Sequence, residues 1–289
     1  MKIVVASGKG GTGKTFVATN LYETSRNTGH ATILADCDAE VPNASHFIRA
    51  EKTSQENVTE YRPEFDAQKC TFCGKCMEYC TYNAIFCIPA QSQIRLLTHL
   101  CHGCGACAVA CEEHAVKDGA AAVGVITFYK KDEQTVFIEG KMKSGEISAV
   151  PVIKQTIKRA SEVPADYLII DAPPGTSCPF IQTVARADYA VLVTEPTPFG
   201  LSDLRQAVET LRTLKKPFGV VINRAGLGNK EMYGYLKRER IELLAEIPFD
   251  KEIARIYSTG GLVVSTDKKM EQLFKTLMER IGENGNSCS

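Results

Sequence analysis

The chain has 289 residues, which is enough for one well-buried core and one small additional module. Its 34 lysines and arginines balance 34 aspartates and glutamates, and this neutrality excludes the basic surface of a dedicated nucleic-acid binder or a polybasic membrane anchor. The apolar runs are far shorter than the ~18 residues that span a bilayer, and the first residues enter a strand rather than a signal peptide. The sequence therefore predicts a cytoplasmic protein that binds neither nucleic acid nor membranes.

Apolar runs alternate with helical patterns along most of the chain. The runs lack the polar alternation of half-exposed strands, so they are typical of a sheet that is buried on both faces. Strands alternating with helices predict an α/β fold with a doubly wound, mostly parallel sheet. The predicted strands are 2–7, 31–35, 167–170, 189–193 and 218–222, and the predicted helices begin near 16 and then cover 151–160, 201–214, 233–245 and 268–281.

Residues 59–117 break this alternation because they hold nine of the twelve cysteines and few long apolar runs. We predict that they form a small inserted α+β module, which makes the main domain discontinuous over 1–58 and 118–289. Apolar runs at 125–129 and 135–139 indicate an antiparallel hairpin that returns the chain to the main sheet.

A glycine-rich loop between the first predicted strand and the first predicted helix matches the P-loop pattern G-x-x-x-x-G-K-S/T. In such a loop the backbone N–H groups and the helix N-terminus bind phosphate. We expect Lys14 to reach the outer phosphates and the Thr15 hydroxyl to hold Mg²⁺; the alternative is a plain glycine-rich turn. The expected nucleotide-binding residues here are Gly8, Lys9, Gly10, Gly11, Thr12, Gly13, Lys14, Thr15 and Phe16.

The strongest motif is a cysteine pattern, C-x2-C-x2-C-x3-C, that occurs twice in the insert. Thiolates at i, i+3 and i+6 hold three corners of one cubane, whereas the fourth lies on a following turn that points toward the other cluster. The pattern therefore predicts two [4Fe–4S] clusters with crossed ligation, and zinc bound by paired C-x2-C elements is the alternative. The first cluster is assigned Cys70, Cys73, Cys76 and Cys111, and the second Cys80, Cys101, Cys104 and Cys107.

This arrangement resembles the bacterial two-cluster ferredoxins. Those proteins usually carry a proline after the fourth cysteine, where this chain has Thr81 and Glu112. That proline shapes a turn and is no ligand, so the difference bears on cluster potential and turn rigidity. Cys87 lies in an apolar run and is interpreted as core packing rather than as a ligand. Cys178 is interpreted as a loop cysteine, with a position near a dimer axis as the alternative.

The loop sequence K-G-G-T-G-K-T, with its additional Lys9, resembles the deviant-Walker ATPases of the MinD/ParA family, which includes the nitrogenase iron protein and Mrp-type cluster carriers. In that family the matching lysine crosses to the nucleotide of the partner subunit in an ATP-sandwich homodimer. The resemblance implies that role for Lys9. It also implies that Lys9, Lys14 and Asp38 are catalytic.

Further segments of the family's site follow in order along the chain. The segment D-C-D at 36–38 resembles switch I, which implies that Asp38 orients the attacking water and belongs to the Mg²⁺ site. The segment D-A-P-P-G at 171–175 resembles Walker B and switch II, which implies that Asp171 reaches Mg²⁺ through water. By the same resemblance Asn223, Arg224 and Pro248 contact adenine.

Together these features predict an ATP-hydrolysing iron–sulfur protein in which a nucleotide-dependent dimer switch is coupled to low-potential electron transfer toward an unidentified redox protein. The alternative is an ATPase that assembles or carries clusters to an acceptor protein. Mrp-type carriers use a C-x-x-C pair in their C-terminal half, whereas residues 118–289 contain only Cys178 and Cys288. A ParA- or MinD-type positioning ATPase is less favoured, because the apolar stripe of the last helix is interpreted as core packing.

Overall fold

The structure is a computed structural model that describes residues 1–131, 134–228 and 230–286. The chain divides into two compact units. The first comprises Met1–Glu56, Ile126–Lys141 and Val152–Ser289, and the second comprises Asn57–Val125 and Met142–Pro151. The cysteine-rich unit thus extends beyond the predicted 59–117 and includes a second segment from after the hairpin.

The secondary structure follows the chain in this order. The strands are β1 (Lys2–Ala6), β2 (Thr32–Asp36), β3 (Glu51–Phe65), β4 (Ile85–Ile88), β5 (Gln93–Leu96), β6 (Val116–Lys131), β7 (Gln134–Met142), β8 (Tyr167–Asp171), β9 (Tyr189–Thr194), β10 (Phe218–Ala225) and β11 (Leu243–Pro248). The α-helices are α1 (Lys14–Asn27), α2 (Lys75–Glu78), α3 (Ala106–Val109), α4 (Val150–Ser161), α5 (Cys178–Val184), α6 (Pro198–Thr213), α7 (Glu231–Arg238), α8 (Lys251–Ser258) and α9 (Lys268–Asn286).

Nine strands within the described residues form one sheet, in the order β11-β10-β9-β1-β8-β2-β7-β6-β3. From β11 to β7 every neighbouring pair is parallel, which confirms the predicted mostly parallel α/β sheet. All five residues of β2 and all six of β9 are buried, as the continuous apolar runs predicted. Because parallel strands end at the same edge, the segments that follow β1, β2 and β8 meet there.

One sequence prediction about the main unit was wrong, and one strand was not predicted. The helix predicted at 233–245 ends at Arg238, since Arg240 has a left-handed φ of 52° and cannot continue it. The residues that follow form the edge strand β11 instead. Strand β3 was not predicted, because its sequence is largely polar and most of its first half is exposed.

The predicted hairpin corresponds to β6 and β7, which are neighbours in the sheet. Its connecting residues 132–133 lie outside the described residues. The last helix, α9, packs its apolar stripe into the core, as predicted: Met270, Phe274, Leu277 and Ile281 are at most 3% exposed. None of the described helices is long and apolar enough to cross a bilayer.

The cysteine-rich unit contains two short helices, α2 and α3, and an antiparallel hairpin of β4 and β5. Its small core is formed by Cys76, Ile85 and Cys107, with Ile94 and Leu96 packed against them. A single core in a unit of fewer than about 80 residues supplies only a few kcal/mol of stability by burial. Additional stabilisation, such as a bound metal centre supplies, is therefore expected for this unit.

Candidate functional site

The P-loop joins β1 to α1 and is held in place by a side chain from β10. Gly13 precedes α1 with a left-handed φ of 96°, a conformation that favours glycine. The side-chain amide Nδ2 of Asn223 donates to the carbonyl oxygen of Thr12 at 2.8 Å. Lys14 is only 6% exposed, so its charge lies within the loop rather than in solvent. These contacts within the chain fix the position of the loop.

A buried hydroxyl and a buried carboxylate meet behind the P-loop. The Thr15 hydroxyl donates to Asp171 Oδ2 at 2.6 Å, and the other oxygen, Oδ1, is buried without a hydrogen-bond partner in the structure. Burial raises the pKa of Asp171 to about 7, although Lys14 and the Thr15 hydroxyl act to lower it. Oxygen donors with an unused lone pair suit Mg²⁺, either directly or through its water ligands.

The two aspartates of the D-C-D segment have different environments. Asp36 is fully buried and accepts backbone N–H bonds from Asp38, Asn43 and Ala44, so it organises the loop that follows β2. Burial raises the pKa of Asp36, and the negative charge of Asp171 raises it further. Asp38 is half-buried; burial raises its pKa and the positive charge of Lys14 offsets part of that effect. Asp38 is therefore the more accessible of the two at the loop.

Lys9 and Arg224 share an acidic residue that the sequence analysis missed. Lys9 Nζ lies 3.7 Å from Glu195 Oε1, and Arg224 Nη1 donates to Glu195 Oε2 at 2.8 Å. Glu195 comes directly after buried β9, just as Asp36 and Asp171 end their own buried strands. That position at the carboxyl edge was the signal available in the sequence.

A cavity of about 370 Å³ opens beside the P-loop. The predicted nucleotide residues that line it are Gly11, Gly13, Phe16, Asn223, Arg224 and Pro248, and the lining residues outside that prediction are Phe249, Asp250, Ile253, Ala254 and Tyr257. The rings of Phe16 and Tyr257 meet edge to face at 5.6 Å between centroids. A mostly apolar wall with a few polar groups is typical of a pocket for a planar base.

Two cavities in the second unit are lined by cysteines. One of about 100 Å³ is lined by Cys70, Cys73, Cys76 and Cys111, and also by Cys87. The other, of about 20 Å³, is lined by Cys80, Cys101, Cys104 and Cys107. Each cavity thus brings together three cysteines of one motif and the last cysteine of the other.

The two motifs repeat in conformation as well as in sequence, with an offset of 31 residues. The corresponding pairs Gly74 and Gly105, and Asn83 and His114, all have positive φ. Backbone N–H groups donate to cysteine sulfurs at equivalent places: Phe72 to Cys70 (3.4 Å), Gly103 to Cys101 (3.5 Å), Ala84 to Cys80 (3.3 Å) and Ala115 to Cys111 (3.2 Å). Such bonds stabilise thiolates and tune iron–sulfur centres.

The donor groups suit a cluster better than a single ion. Among the residues that the structure describes, no three His, Cys, Asp or Glu side chains are grouped closely enough to hold one metal ion. Each cavity is lined by the four cysteines that a cubane requires, and the strict C-x2-C-x2-C-x3-C spacing favours a [4Fe–4S] cluster over zinc. The Tyr61 hydroxyl, which lines the second cavity, hydrogen-bonds the Cys107 thiol, and burial together with this neighbouring cysteine raises the pKa of Tyr61 to about 12.

A family model described as the CobQ/CobB/MinD/ParA nucleotide binding domain matches residues 3–263. The chain belongs to this family. Two uncharacterised proteins of Methanocaldococcus jannaschii are each 30% identical to it: one match covers 90% of both chains, and the other 98% of this chain and 97% of the relative. An iron-sulfur cluster carrier protein of the same organism is 24% identical over 98% of this chain and 84% of its own.

Solved structures show the same fold. The cell division ATPase MinD of Pyrococcus furiosus has a TM-score of 0.59 at 20% identity and covers 98% of both chains. MinD of Pyrococcus horikoshii, determined with Mg-ADP, has a TM-score of 0.60 at 18% identity and covers 97% of this chain and 95% of its own. This MinD/ParA-family protein is accordingly a P-loop ATPase, as the sequence predicted.

The family's P-loop geometry makes Gly13 a sensitive position. A Cβ at Gly13 would lie 2.3 Å from Asn223 Nδ2, and the φ of 96° is unfavourable for alanine. We expect Gly13→Ala to weaken ATP binding at least about tenfold, equivalent to about 1.4 kcal/mol, as measured by titration with a fluorescent analogue. The control is Gly234→Ala in α7, where the nearest atom, Arg238 Nη1, is 3.5 Å away. Equal affinity in the two variants would contradict this role of the loop.

Proposed function

We propose that this protein couples a nucleotide-dependent switch of a homodimer to electron transfer through two [4Fe–4S] clusters, toward a redox protein as acceptor. The observation that carries the proposal is the pair of cysteine cavities, each lined by three cysteines from one motif and one from the other. Four thiolates satisfy every iron of a cubane, so each cavity provides a complete ligand set.

The hydrogen bonds around the cysteines support electron transfer over temporary storage of a cluster. Each motif has backbone N–H donors at the sulfurs of its first and last cysteines, and Tyr61 adds a buried hydroxyl in the second cavity. Donors of this kind stabilise the added negative charge when a cluster is reduced, which sets its potential. The hydrogen-bond donors of the two cavities differ, so the two clusters are expected to have different reduction potentials.

The nucleotide site supplies the switch. We propose that Lys14 contacts the outer phosphates, that Thr15 and Asp171 hold the hydrated Mg²⁺, and that Asp38 orients the attacking water. Bound Mg²⁺ would neutralise charge on the phosphates. Asp36 holds the loop after β2 through three backbone N–H bonds, so a displacement of Asp38 is passed to the whole loop. Loss of the γ-phosphate would then release this loop and the segment after Asp171.

Lys9 is proposed to act across the dimer. In the single chain its Nζ faces Glu195 at 3.7 Å, a distance that allows only a weak ion pair, and its side chain is about one-third exposed (32%). A lysine held this loosely is free to leave Glu195 for the phosphates of a partner's nucleotide.

A second candidate function is an ATPase that assembles clusters or carries them to an acceptor. Relatives named iron-sulfur cluster carrier proteins favour it, including one from Methanococcus maripaludis that is 26% identical over 97% of this chain and 85% of its own. Cys73 and Cys104, one in each cavity, are exposed and offer a route for an acceptor thiol. The carrier hypothesis requires that an intact cluster be transferred from this chain to the acceptor.

Potentiometry of the anaerobic protein separates the two functions. If nucleotide gates electron transfer, a non-hydrolysable ATP analogue should shift at least one cluster potential by tens of millivolts, comparable with a change of about 1 kcal/mol in relative cluster stability. Lys14→Ala is the control, since it should lose the shift and retain both clusters. An unchanged potential, together with ATP-dependent transfer of iron to an apo-ferredoxin, would replace electron transfer by the carrier function.

A further inference from the structure

The first cysteine cavity contains one thiol more than a cubane requires. Cys87 is 7% exposed in β4 and lines this cavity together with Cys70, Cys73, Cys76 and Cys111. Its thiol donates a long hydrogen bond, 3.8 Å, to the carbonyl oxygen of Phe72, and its sulfur also accepts from the backbone N–H of Gly74. The residue is buried, as the sequence predicted, but it faces the cysteine cavity as well as the apolar core.

A comparison of the two halves of the internal repeat shows that the additional thiol, Cys87, occurs only in the half with the first cysteine motif. The residue 31 positions after Cys87 is Asp118, and among the residues that the structure describes the second cavity is lined by four cysteines with no fifth. The other cysteines have equivalents: Cys73 corresponds to Cys104, and both are exposed. The cavity with the additional thiol can therefore be compared with the cavity that lacks it within one chain.

We propose that Cys87 is a reserve ligand, which binds iron of the first cluster when the exposed ligand Cys73 leaves it. This inference rests on the proposed clusters. The exchange is redox-neutral: the Cys87 thiol loses a proton as its sulfur binds iron, and the departing Cys73 thiolate gains one. The first cluster then keeps four thiolate ligands in both states, with Cys73 either bound or free at the surface.

The different exposures of the two thiols give the exchange a physical basis. Cys73 is reachable from solvent, and a partner protein or an oxidant therefore meets it before it meets buried Cys87. Because Cys87 already lies in the cavity lining, exchange requires a change of side-chain orientation rather than refolding of β4. In the second cavity, by contrast, the described residues include no additional cysteine that could replace Cys104 as a ligand.

The test compares Cys73→Ala with Cys104→Ala in the full-length protein, purified and reconstituted without oxygen. Wild type should bind about eight irons, and Cys73→Ala should keep about eight. Cys104→Ala should lose about one to four and show a three-iron signal by electron paramagnetic resonance. Adding Cys87→Ala to Cys73→Ala should reproduce the iron loss of Cys104→Ala, whereas Cys87→Ala alone should keep the wild-type content.

Equal iron loss in Cys73→Ala and Cys104→Ala, or no further loss when Cys87→Ala is added to Cys73→Ala, would overturn the reserve ligand. A wild-type chain that binds no iron after reconstitution would overturn the proposed clusters instead, so the two failures are distinguishable. ATP binding verifies that each variant retains a folded ATPase unit. The pair Cys73→Val and Cys104→Val, whose side chains are close to cysteine in size and carry no atom that binds iron, gives the same comparison if an alanine variant is insoluble.

Discussion

The Lys9→Ala variant is expected to bind ATP with near-native affinity and to hydrolyse it at least about 10³-fold more slowly than wild type, as is typical when a cation supplied in trans is lost. Within its own chain Lys9 contacts Glu195 rather than the residues around the base cavity. In the proposed mechanism, binding is carried by other P-loop groups, whereas stabilisation of the transition-state charge depends on the lysine that the other subunit supplies. Titration with a fluorescent ATP analogue and a phosphate-release assay measure the two quantities.

Lys14→Ala is the matched comparison for this experiment, since it removes the same charge from the same loop. Lys14 is buried in the loop, so this variant should lose both binding and turnover. A mixture of Lys9→Ala with a separately inactive Asp38→Ala chain should recover part of the activity if the lysine acts across the dimer, because each mixed dimer contains one site with both residues. Wild-type turnover by Lys9→Ala alone would refute the assignment.

The chemical groups of both sites were predictable because they lie in short, contiguous patterns. A P-loop needs its glycines and Lys14 within eight residues, and each cysteine motif spans only one turn and a short helix. Local patterns of this kind depend little on the rest of the chain. The predicted α/β class had the same origin, since strands such as β2 and β9 are largely apolar and buried along their whole length.

Site residues that the fold brings together from distant segments could not be predicted from local sequence patterns. Glu195 becomes part of the site because β9 ends beside β1, and Tyr257 joins the base cavity because α8 follows β11. The first three residues of strand β11, 243–245, were interpreted as the end of a helix, since their apolar residues are compatible with either period. Cys87 was correctly placed in a buried run, but its position on the cysteine cavity follows from the β4–β5 hairpin.

Crossed ligation predicts that substitution of the last cysteine of one motif weakens the cluster held by the other motif, an effect that the three-dimensional arrangement explains. In Cys80→Ala, combined with Cys87→Ala so that Cys73 has no thiol to exchange with, the missing ligand belongs to the first motif, but the weakened cluster is the one held by the second motif. During treatment with an iron chelator, Cys104 should become reactive toward iodoacetamide at least about tenfold sooner than Cys73, since loss of a direct ligand costs more than loss of an outer-shell partner. Mass spectrometry of the alkylated peptides measures both rates in one sample.

Cys73 and Cys104 are suitable reporters because both are exposed and occupy equivalent places in the repeat. The mirror variant is Cys111→Ala, combined with Cys87→Ala so that no spare thiol remains in the first cavity. Crossed ligation requires the order to reverse there, with Cys73 reacting first. If Cys80→Ala, combined with Cys87→Ala, exposes Cys73 first, each motif holds its own cluster, and the cavities that combine the two motifs would have to rearrange around the iron.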